Sequence, residues 1–265
     1  MFSVVTCGFR PAGVSALTAD RAVRVLPHPA SPEFLPQAID LVDTLDPRHA
    51  VLCVHDGSAA SEHRVRVLRS LVARSTVHPV GVRLPLTGLA ALATVLASLS
   101  AARQPAGAVL ASLSWVSASV PVQASTASVS RLDYSEIGAS QQLASLLPWV
   151  RVPLRLGGTP QVGAAARAPL ETTGPVAVLT AGDQRLLGDL PPVQGQVVES
   201  VEVPAEPPFG RDWWGTQRYV ERCVVPVDLA ALTRRMSSFP WRRCPECGEP
   251  MSSFCSFCSA QEVFA

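Results

Sequence analysis

The feature that most constrains this fold is the alternation, over residues 1–156, of short apolar runs with longer segments of helical periodicity. The runs FSVVTCGF, RAVRVLPH and AVLCVHDG are rich in valine and have the length of strands. The segment SPEFLPQAIDLVDTL, which begins at Ser31, places Phe34, Ala38, Leu41 and Leu45 on one helical face. Strands that alternate with helices indicate βαβ units, because parallel neighbours need a crossover connection. The sequence therefore predicts an α/β fold with a mostly parallel sheet and covering helices.

The same alternation continues to residue 156. The run SAASEHRVRVLRSLVARS predicts a helix, VHPVGVRL a strand, and TGLAALATVLASLSAAR the helix after it. Residues 106–120, AGAVLASLSWVSASV, are interpreted as the next strand. Residues 135–149 then predict a helix, and residues 150–156, VRVPLRL, a further strand.

Residues 84–102 form an uncharged run that is about long enough to span a bilayer. Thr, Ser and Gly dilute this run, Pro85 stands near its start, and no basic flank sets an orientation. We therefore expect a helix that is buried on all sides rather than a membrane hairpin. The N-terminus lacks the pattern of a signal peptide, and the seven cysteines suggest no disulfide framework. These observations predict a cytoplasmic protein that is not membrane-bound.

The composition changes after Gly157, where Gly, Pro, Thr and Val dominate. The runs PVAVLTA and QVVESVEV are candidate strands, and a Pro-rich crossing follows at PAEPPFG. The sequence thus predicts four parts: an α/β domain over residues 1–156, a β-rich extension over 157–208, a connector rich in Arg and Trp over 209–243, and a zinc ribbon over 244–265.

Two CxxC pairs near the C-terminus have the spacing of a metal site. Seven residues separate the first pair, Cys244 and Cys247, from the second pair, Cys255 and Cys258. Each CxxC can turn two thiolates toward one ion, and four thiolates in a tetrahedron suit a structural Zn²⁺. Such a site has no open position for water, which argues against a hydrolytic zinc, whereas an iron site with the same ligands remains an alternative.

The segment CPECGEPMSSFCSFC resembles the short zinc-ribbon modules of the CPxCG…FCxxC kind that occur at the ends of many bacterial proteins. The resemblance covers only residues 244–258 and implies that the four cysteines bind zinc. The glycine expected after the last cysteine is replaced by Ser259. The modules serve many functions, so the resemblance implies a metal site rather than a particular activity.

Arginines and aromatic residues are interleaved just before this segment. We interpret seven of them as a candidate surface for binding a protein partner: Trp213, Trp214, Arg218, Tyr219, Trp241, Arg242 and Arg243. The same composition occurs on nucleic-acid surfaces, but Glu246 and Glu249 offset much of the positive charge. Alternatively, the tryptophans pack the tail against the main domain. The net charge of +1 provides no general attraction for nucleic acid or an acidic membrane.

The run VHDGS ends a predicted strand, at the edge where open α/β sheets place their sites. His55 and Asp56 could act there as a base and its partner, although adjacent strand residues point to opposite faces. No phosphate-binding glycine loop and no GxSxG elbow is present in the sequence. We therefore expect a non-enzymatic adaptor that binds a protein partner. The alternatives are an enzyme with a site near His55 and Asp56, and a nucleic-acid-binding protein that uses the zinc ribbon and its basic flank.

Overall fold

The computed structural model describes residues 2–17, 23–45, 49–72, 76–129, 132, 137, 139–145, 147, 150–204, 209–251 and 255. Its strands are β1 Phe2–Cys7, β2 Val23–Leu26, β3 Ala50–His55, β4 Val77–Gly81, β5 Val122–Thr126, β6 Val152–Leu156, β7 Gln161–Val162, β8 Leu170–Glu171, β9 Val176–Gly182, β10 Val193–Gln194, β11 Val197–Glu202, β12 Tyr219–Pro226, β13 Arg242–Arg243 and β14 Pro250–Met251. Its α-helices are α1 Phe34–Asp43, α2 Ala59–Leu71, α3 Leu86–Ala101, α4 Ala106–Ala111, α5 Leu113–Ala118, α6 Ala139–Ala144, α7 Arg211–Trp214 and α8 Ala230–Ser238. Two 3₁₀ helices span Gly163–Arg167 and Gln184–Asp189.

The first sheet contains β1 to β4 in the order β2-β1-β3-β4, and all of its strand pairs are parallel. β3 is buried along its whole length, as expected for a central strand covered on both faces. Helices α1 and α2 cover one face, where Phe34, Ala38 and Val42 pack with Val65 and Leu68. The Ser58 hydroxyl caps α2 by accepting a hydrogen bond from the Ser61 N–H at 3.2 Å.

Helix α3 covers the other face and contacts strands of both sheets. Its residues Leu86 to Ala97 are all buried, which explains why the sequence carries apolar and small side chains on every side of this helix. The prediction of a helix buried on all sides is therefore confirmed. Sixteen residues of α-helix span about 24 Å, less than the roughly 30 Å of a bilayer core. Within the described ranges, no helix combines the length and apolar character that a membrane crossing requires.

The second sheet is mixed, with the strand order β11-β9-β12-β5-β6-β7. β12 lies at its centre and pairs antiparallel with β5 and β9, whereas β9 and β11 are parallel. One face of this sheet, including Leu179, Cys223 and Val225, shares a core with α3. The opposite face packs against Trp214 and neighbouring residues. The two sheets therefore enclose α3 between them.

The prediction of an α/β fold is confirmed, and the four-stranded first sheet is fully parallel. The strand predicted for residues 106–120 is wrong, because this run forms α4 and α5. The helix predicted for residues 135–149 includes α6, and much of the rest of that range lies outside the described residues. The division into four parts stays a prediction; strands from both sides of residue 156 share the second sheet.

Candidate functional site

An apolar cavity of about 130 Å³ lies at the junction of the two sheets. Residues 8–13, which follow β1, form one wall, and residues 201–204, at the end of β11, form another. Leu86, the first residue of α3, and Phe209 complete the lining. The cavity thus lies at the carboxyl edge of a parallel sheet, where α/β proteins commonly bind ligands.

The lining of the cavity is mainly apolar, and its charged members are exposed. Phe9 and Phe209 are almost fully buried and meet edge to face, with ring centroids 5.7 Å apart. Arg10 and Glu202 also line the cavity, but both residues are exposed and so belong to its rim. The geometry therefore suits a ligand with an apolar body and one polar end.

Hydrogen bonds hold the wall formed by residues 8–13 against the rest of the molecule. The Thr6 hydroxyl donates to the Phe9 carbonyl at 2.7 Å, and the Thr94 hydroxyl of α3 shares its proton between the Ala90 carbonyl at 2.8 Å and the Ala12 carbonyl at 3.2 Å. Beyond this wall, the Ser15 N–H and hydroxyl both donate to Glu199 Oε2 of β11 at 2.9 Å. These contacts join the loop after β1 to both α3 and the second sheet.

A buried carboxylate occupies the N-terminal end of α3, next to Leu86 of the cavity. Glu221 of β12 is fully buried and accepts hydrogen bonds from the Thr87 N–H at 3.1 Å and from Trp214 Nε1–H at 2.9 Å. Burial raises the pKa of Glu221 to about 7, and the hydrogen bonds from Thr87 and Trp214 only partly oppose this rise. The local sequence does not single out Glu221, because a glutamate in an Arg-rich segment suggests an exposed charge.

His55 and Asp56 do meet other polar groups at the carboxyl edge of the first sheet, but His55 is fully buried. Its Nε2 atom lies 3.0 Å from Glu62 Oε2, and its Nδ1 atom accepts a hydrogen bond from the Gly57 N–H. Burial lowers the pKa of His55, although Glu62 and Asp56 act in the opposite direction. A histidine enclosed in this way supports the strand end rather than facing a ligand.

Asp56 is anchored by the turn that follows β3. Its Oδ1 atom accepts hydrogen bonds from the Ser58 N–H and hydroxyl, and its Oδ2 atom lies 3.7 Å from His28 Nε2. Burial would raise the pKa of Asp56, but the nearby polar groups of His28, Ser61 and Ser58 outweigh this effect and hold the pKa well below the usual range. His28 also meets Phe209 edge to face at 6.1 Å, so this polar cluster supports the cavity wall from outside.

The C-terminal cysteines come together as the spacing predicts. The sulfur atoms of Cys244, Cys247 and Cys255 all lie within 4.8 Å of one another, and Cys258 lies outside the described residues. Gly248 adopts a φ of +72° and donates to the Cys244 carbonyl, which closes the first CxxC turn. The three thiols are close enough to bind one metal ion.

The cysteine hairpin is attached to the main body through α4. Glu249 Oε2 accepts a hydrogen bond from the Gly107 N–H at 3.0 Å, and β14 packs on α4. A Cβ atom at Gly107 would lie 2.8 Å from the Pro250 carbonyl oxygen, so glycine permits this close approach.

The residues predicted to bind a protein partner are divided between core and surface. Trp214 and Tyr219 are buried and stack with a centroid distance of 5.9 Å. Trp213 is partly buried, and Trp241 packs on Phe239 of the same chain. Arg218, Arg242 and Arg243 are exposed. The binding role assigned to these seven residues stays a prediction.

The fold is shared with solved bacterial structures of low sequence identity. A DegV-family protein from Thermus thermophilus, described for its fatty acid binding, aligns with a TM-score of 0.57 and 16% identity over 85% of this chain and 99% of its own. A stearic-acid-binding protein from Eubacterium ventriosum gives 0.53 and 11% over 86% and 99%, and the fatty-acid-binding DegV of Bacillus subtilis gives 0.52 and 11% over 84% and 98%. No protein-family model matches the sequence, and no curated protein matches it. The likeness establishes a common fold.

The prediction of an adaptor with a protein partner is wrong. Structures that share this fold are described as binding fatty acids, and Trp214 and Tyr219 of the expected contact surface are core residues. The nucleic-acid alternative is wrong for the same reason, since the structures that share this fold are described as binding fatty acids. The enzyme alternative stays a prediction, although its proposed base, His55, is buried against Glu62.

Proposed function

We propose that this chain binds a carboxylic acid with a hydrocarbon tail in the cavity between its two sheets. The observation that carries the proposal is the apolar lining around Phe9, Leu86 and Phe209 with Arg10 at the rim. The fold agrees with this assignment, because solved structures of the same architecture are described as binding fatty acids.

The apolar walls provide the driving force for binding the tail. Each methylene group that moves from water into an apolar site contributes about 0.8 kcal/mol. Phe9 and Phe209 offer flat, rigid surfaces, which lose little conformational freedom when a ligand binds. The tail would therefore lie against the two rings and above Leu86.

The rim of the cavity orients the polar end. The Arg10 guanidinium can donate two hydrogen bonds to a carboxylate, whereas Glu202 repels a negative charge. A carboxylate is therefore expected on the Arg10 side of the opening. Because Arg10 is exposed, its contribution is modest and weakens as salt is added.

Two substitutions with matched controls test the location of the site. Val201 of β11 lines the cavity. Val201→Trp should fill the cavity and so abolish binding of a fluorescent fatty acid. Val198 lies on the same strand with 47% of its surface exposed, and Val198→Trp should leave binding unchanged. Arg10→Gln should weaken binding about fivefold, and Arg24→Gln, at another exposed arginine, should not. Equal binding by Val201→Trp and wild type would exclude this cavity.

We further propose that Cys244, Cys247 and Cys255, together with Cys258, hold a structural Zn²⁺. Three sulfur atoms within 4.8 Å support this assignment, and a fourth thiolate would complete a closed tetrahedral site. We expect about one zinc per chain by elemental analysis, with loss of zinc in Cys247→Ser. Cys53, which is buried in the first core, provides the control, and Cys53→Ala should retain the metal. Iron as the bound metal would contradict the assignment.

A further inference from the structure

We infer that the ligand's tail is short, with about six carbons enclosed, rather than the long tail of stearic acid. This inference rests on the proposed function and concerns the same cavity. Its volume of about 130 Å³ is close to that of an engineered protein cavity of about 150 Å³ that holds one benzene molecule. It is well below the roughly 300–1,000 Å³ of typical sites for drug-sized ligands.

The floor of the cavity is closed by α3. Leu86 lines the cavity and is 3% exposed, and the residues that follow it along the helix, from Thr87 to Ala97, are buried to the same extent or more. α3 contacts β1 and β3 on one side and β9 and β12 on the other, so it fills the space between the sheets. A longer tail could extend in this direction only by displacing close-packed side chains, which is unfavourable in a protein interior.

The side walls are also fixed. On one side, Ser15 donates two hydrogen bonds to Glu199 of β11, and the Ala12 carbonyl accepts a longer, shared hydrogen bond from Thr94 of α3. On the opposite side, the Val203 N–H donates to the Thr180 carbonyl at 2.8 Å, so the end of β11 is held by its neighbour β9. Widening the cavity would break these bonds. Additional carbons of a long tail would instead remain outside, in water.

This geometry predicts how affinity depends on tail length. From butyrate to hexanoate, each added methylene should tighten binding about fourfold, the effect of moving one methylene out of water. From octanoate to palmitate, affinity should stay level, because the additional carbons remain exposed. Isothermal titration of the intact chain with this series, below the micelle concentration of each acid, measures the dependence without any mutation.

Enlarging the cavity should increase the tail length at which affinity stops rising. Leu86→Ala removes side-chain volume from the floor, and we expect the plateau to begin two to three carbons later than in the wild type. Leu41→Ala provides the control, because Leu41 packs in the separate core beneath α1 and its loss should leave the plateau in place.

The outcomes separate this inference from the proposed function. An affinity plateau near six carbons that shifts to longer tails in Leu86→Ala supports the short-tail inference. Affinity that rises steadily to palmitate and is lost in Val201→Trp overturns the short-tail inference and leaves the proposed function standing. No binding of any acid in the series overturns both. Tight binding of palmitate that is unchanged in Val201→Trp also overturns both, because the acid then occupies another site.

Discussion

At the scale of single residues, Glu221 is the most unusual feature of this molecule. It is fully buried and accepts hydrogen bonds from the Thr87 N–H and Trp214 Nε1–H. A carboxylate at a helix N-terminus is stabilised by the helix dipole, but burial raises the pKa of Glu221 to about 7. Burial also raises the pKa of Tyr219 and Cys223, and the nearby charge of Glu221 adds to both shifts.

Glu221 should make the stability of the protein fall as pH rises from about 5 to 7. The unfolded chain releases this proton near pH 4.5, whereas the folded chain holds it until about pH 7, so the folded state loses its advantage across that interval. The loss should be on the order of 3 kcal/mol in the free energy of unfolding. Urea unfolding at pH 5, 6, 7 and 8 measures this slope, and Glu221→Gln should flatten it.

The difference between wild type and Glu221→Gln is the informative quantity. Burial lowers the pKa of His78 to about 4, so His78 contributes stability above pH 6.5 that is lost as pH falls toward 4. This dependence of stability on pH has the opposite sign to that of Glu221, and it is the same in wild type and in Glu221→Gln. Identical slopes in wild type and variant would show that Glu221 does not change protonation in this range.

Gly8 should be needed for the cavity wall. Its φ is +88°, and a Cβ atom there would lie 2.8 Å from the Cα and Cβ atoms of His28. Gly8→Ala should therefore lower the free energy of unfolding by about 1–3 kcal/mol. Gly158 offers a control, since a Cβ atom there meets nothing within 4 Å, and Gly158→Ala should change stability little. Equal stability of Gly8→Ala and wild type in urea would contradict this account.

At the scale of elements, α3 is central because it supplies the core between both sheets. Leu92 is fully buried in the middle of this helix. Leu92→Ala should cost about 2–5 kcal/mol, since surrounding side chains on two sheets cannot both close the cavity left behind. Leu71, at the end of α2, is 59% exposed, and Leu71→Ala should stay within about 0.5 kcal/mol of wild type in urea unfolding. Similar losses in the two variants would contradict this role for α3.

The elements also show what the sequence could predict. Much of the first sheet follows from local periodicity, because β1 and β3 are almost wholly buried and α1 and α2 each present one apolar face. The strand predicted for residues 106–120 is wrong because a short apolar run suits a strand and a buried helix equally well. β12 was missed because Glu221 and Arg222 interrupt its apolar pattern, and only the fold reveals that this glutamate is buried.

The cavity could not be predicted from local sequence at all. Its walls come from residues 8–13 and 201–204, which are distant in the chain and meet because both sheets pack on α3. Residues after β1 carry no motif that points to a ligand. The cysteine site is the opposite case, since its ligands lie within one short segment and their spacing alone indicates a metal.

At the scale of the whole molecule, the C-terminal segment packs back onto the main body. Trp115 of α5 meets Phe239 at 5.3 Å and Trp241 at 6.4 Å, and the Arg235 guanidinium lies 4.2 Å from the centre of the Trp115 ring. Glu249 continues this attachment at α4. The cysteine hairpin therefore contacts α4, and the segment just before it, which includes α8, contacts α5.

Loss of the metal should loosen this attachment while leaving the two sheets folded. Among the described residues, the short hairpin of β13 and β14 buries Cys244, Met251 and Cys255, which is too little to form a core, so the proposed metal is expected to stabilise it. Cys247 is exposed, and replacing an exposed cysteine by serine is nearly neutral unless its thiolate binds a metal. Hydrogen exchange of Cys247→Ser should therefore show lost protection in residues 242–251 and in α4, with β3 and β12 unchanged. Protection equal to wild type throughout would mean that the hairpin folds without metal, and a loss that extends to β12 would mean that the metal stabilises the whole molecule.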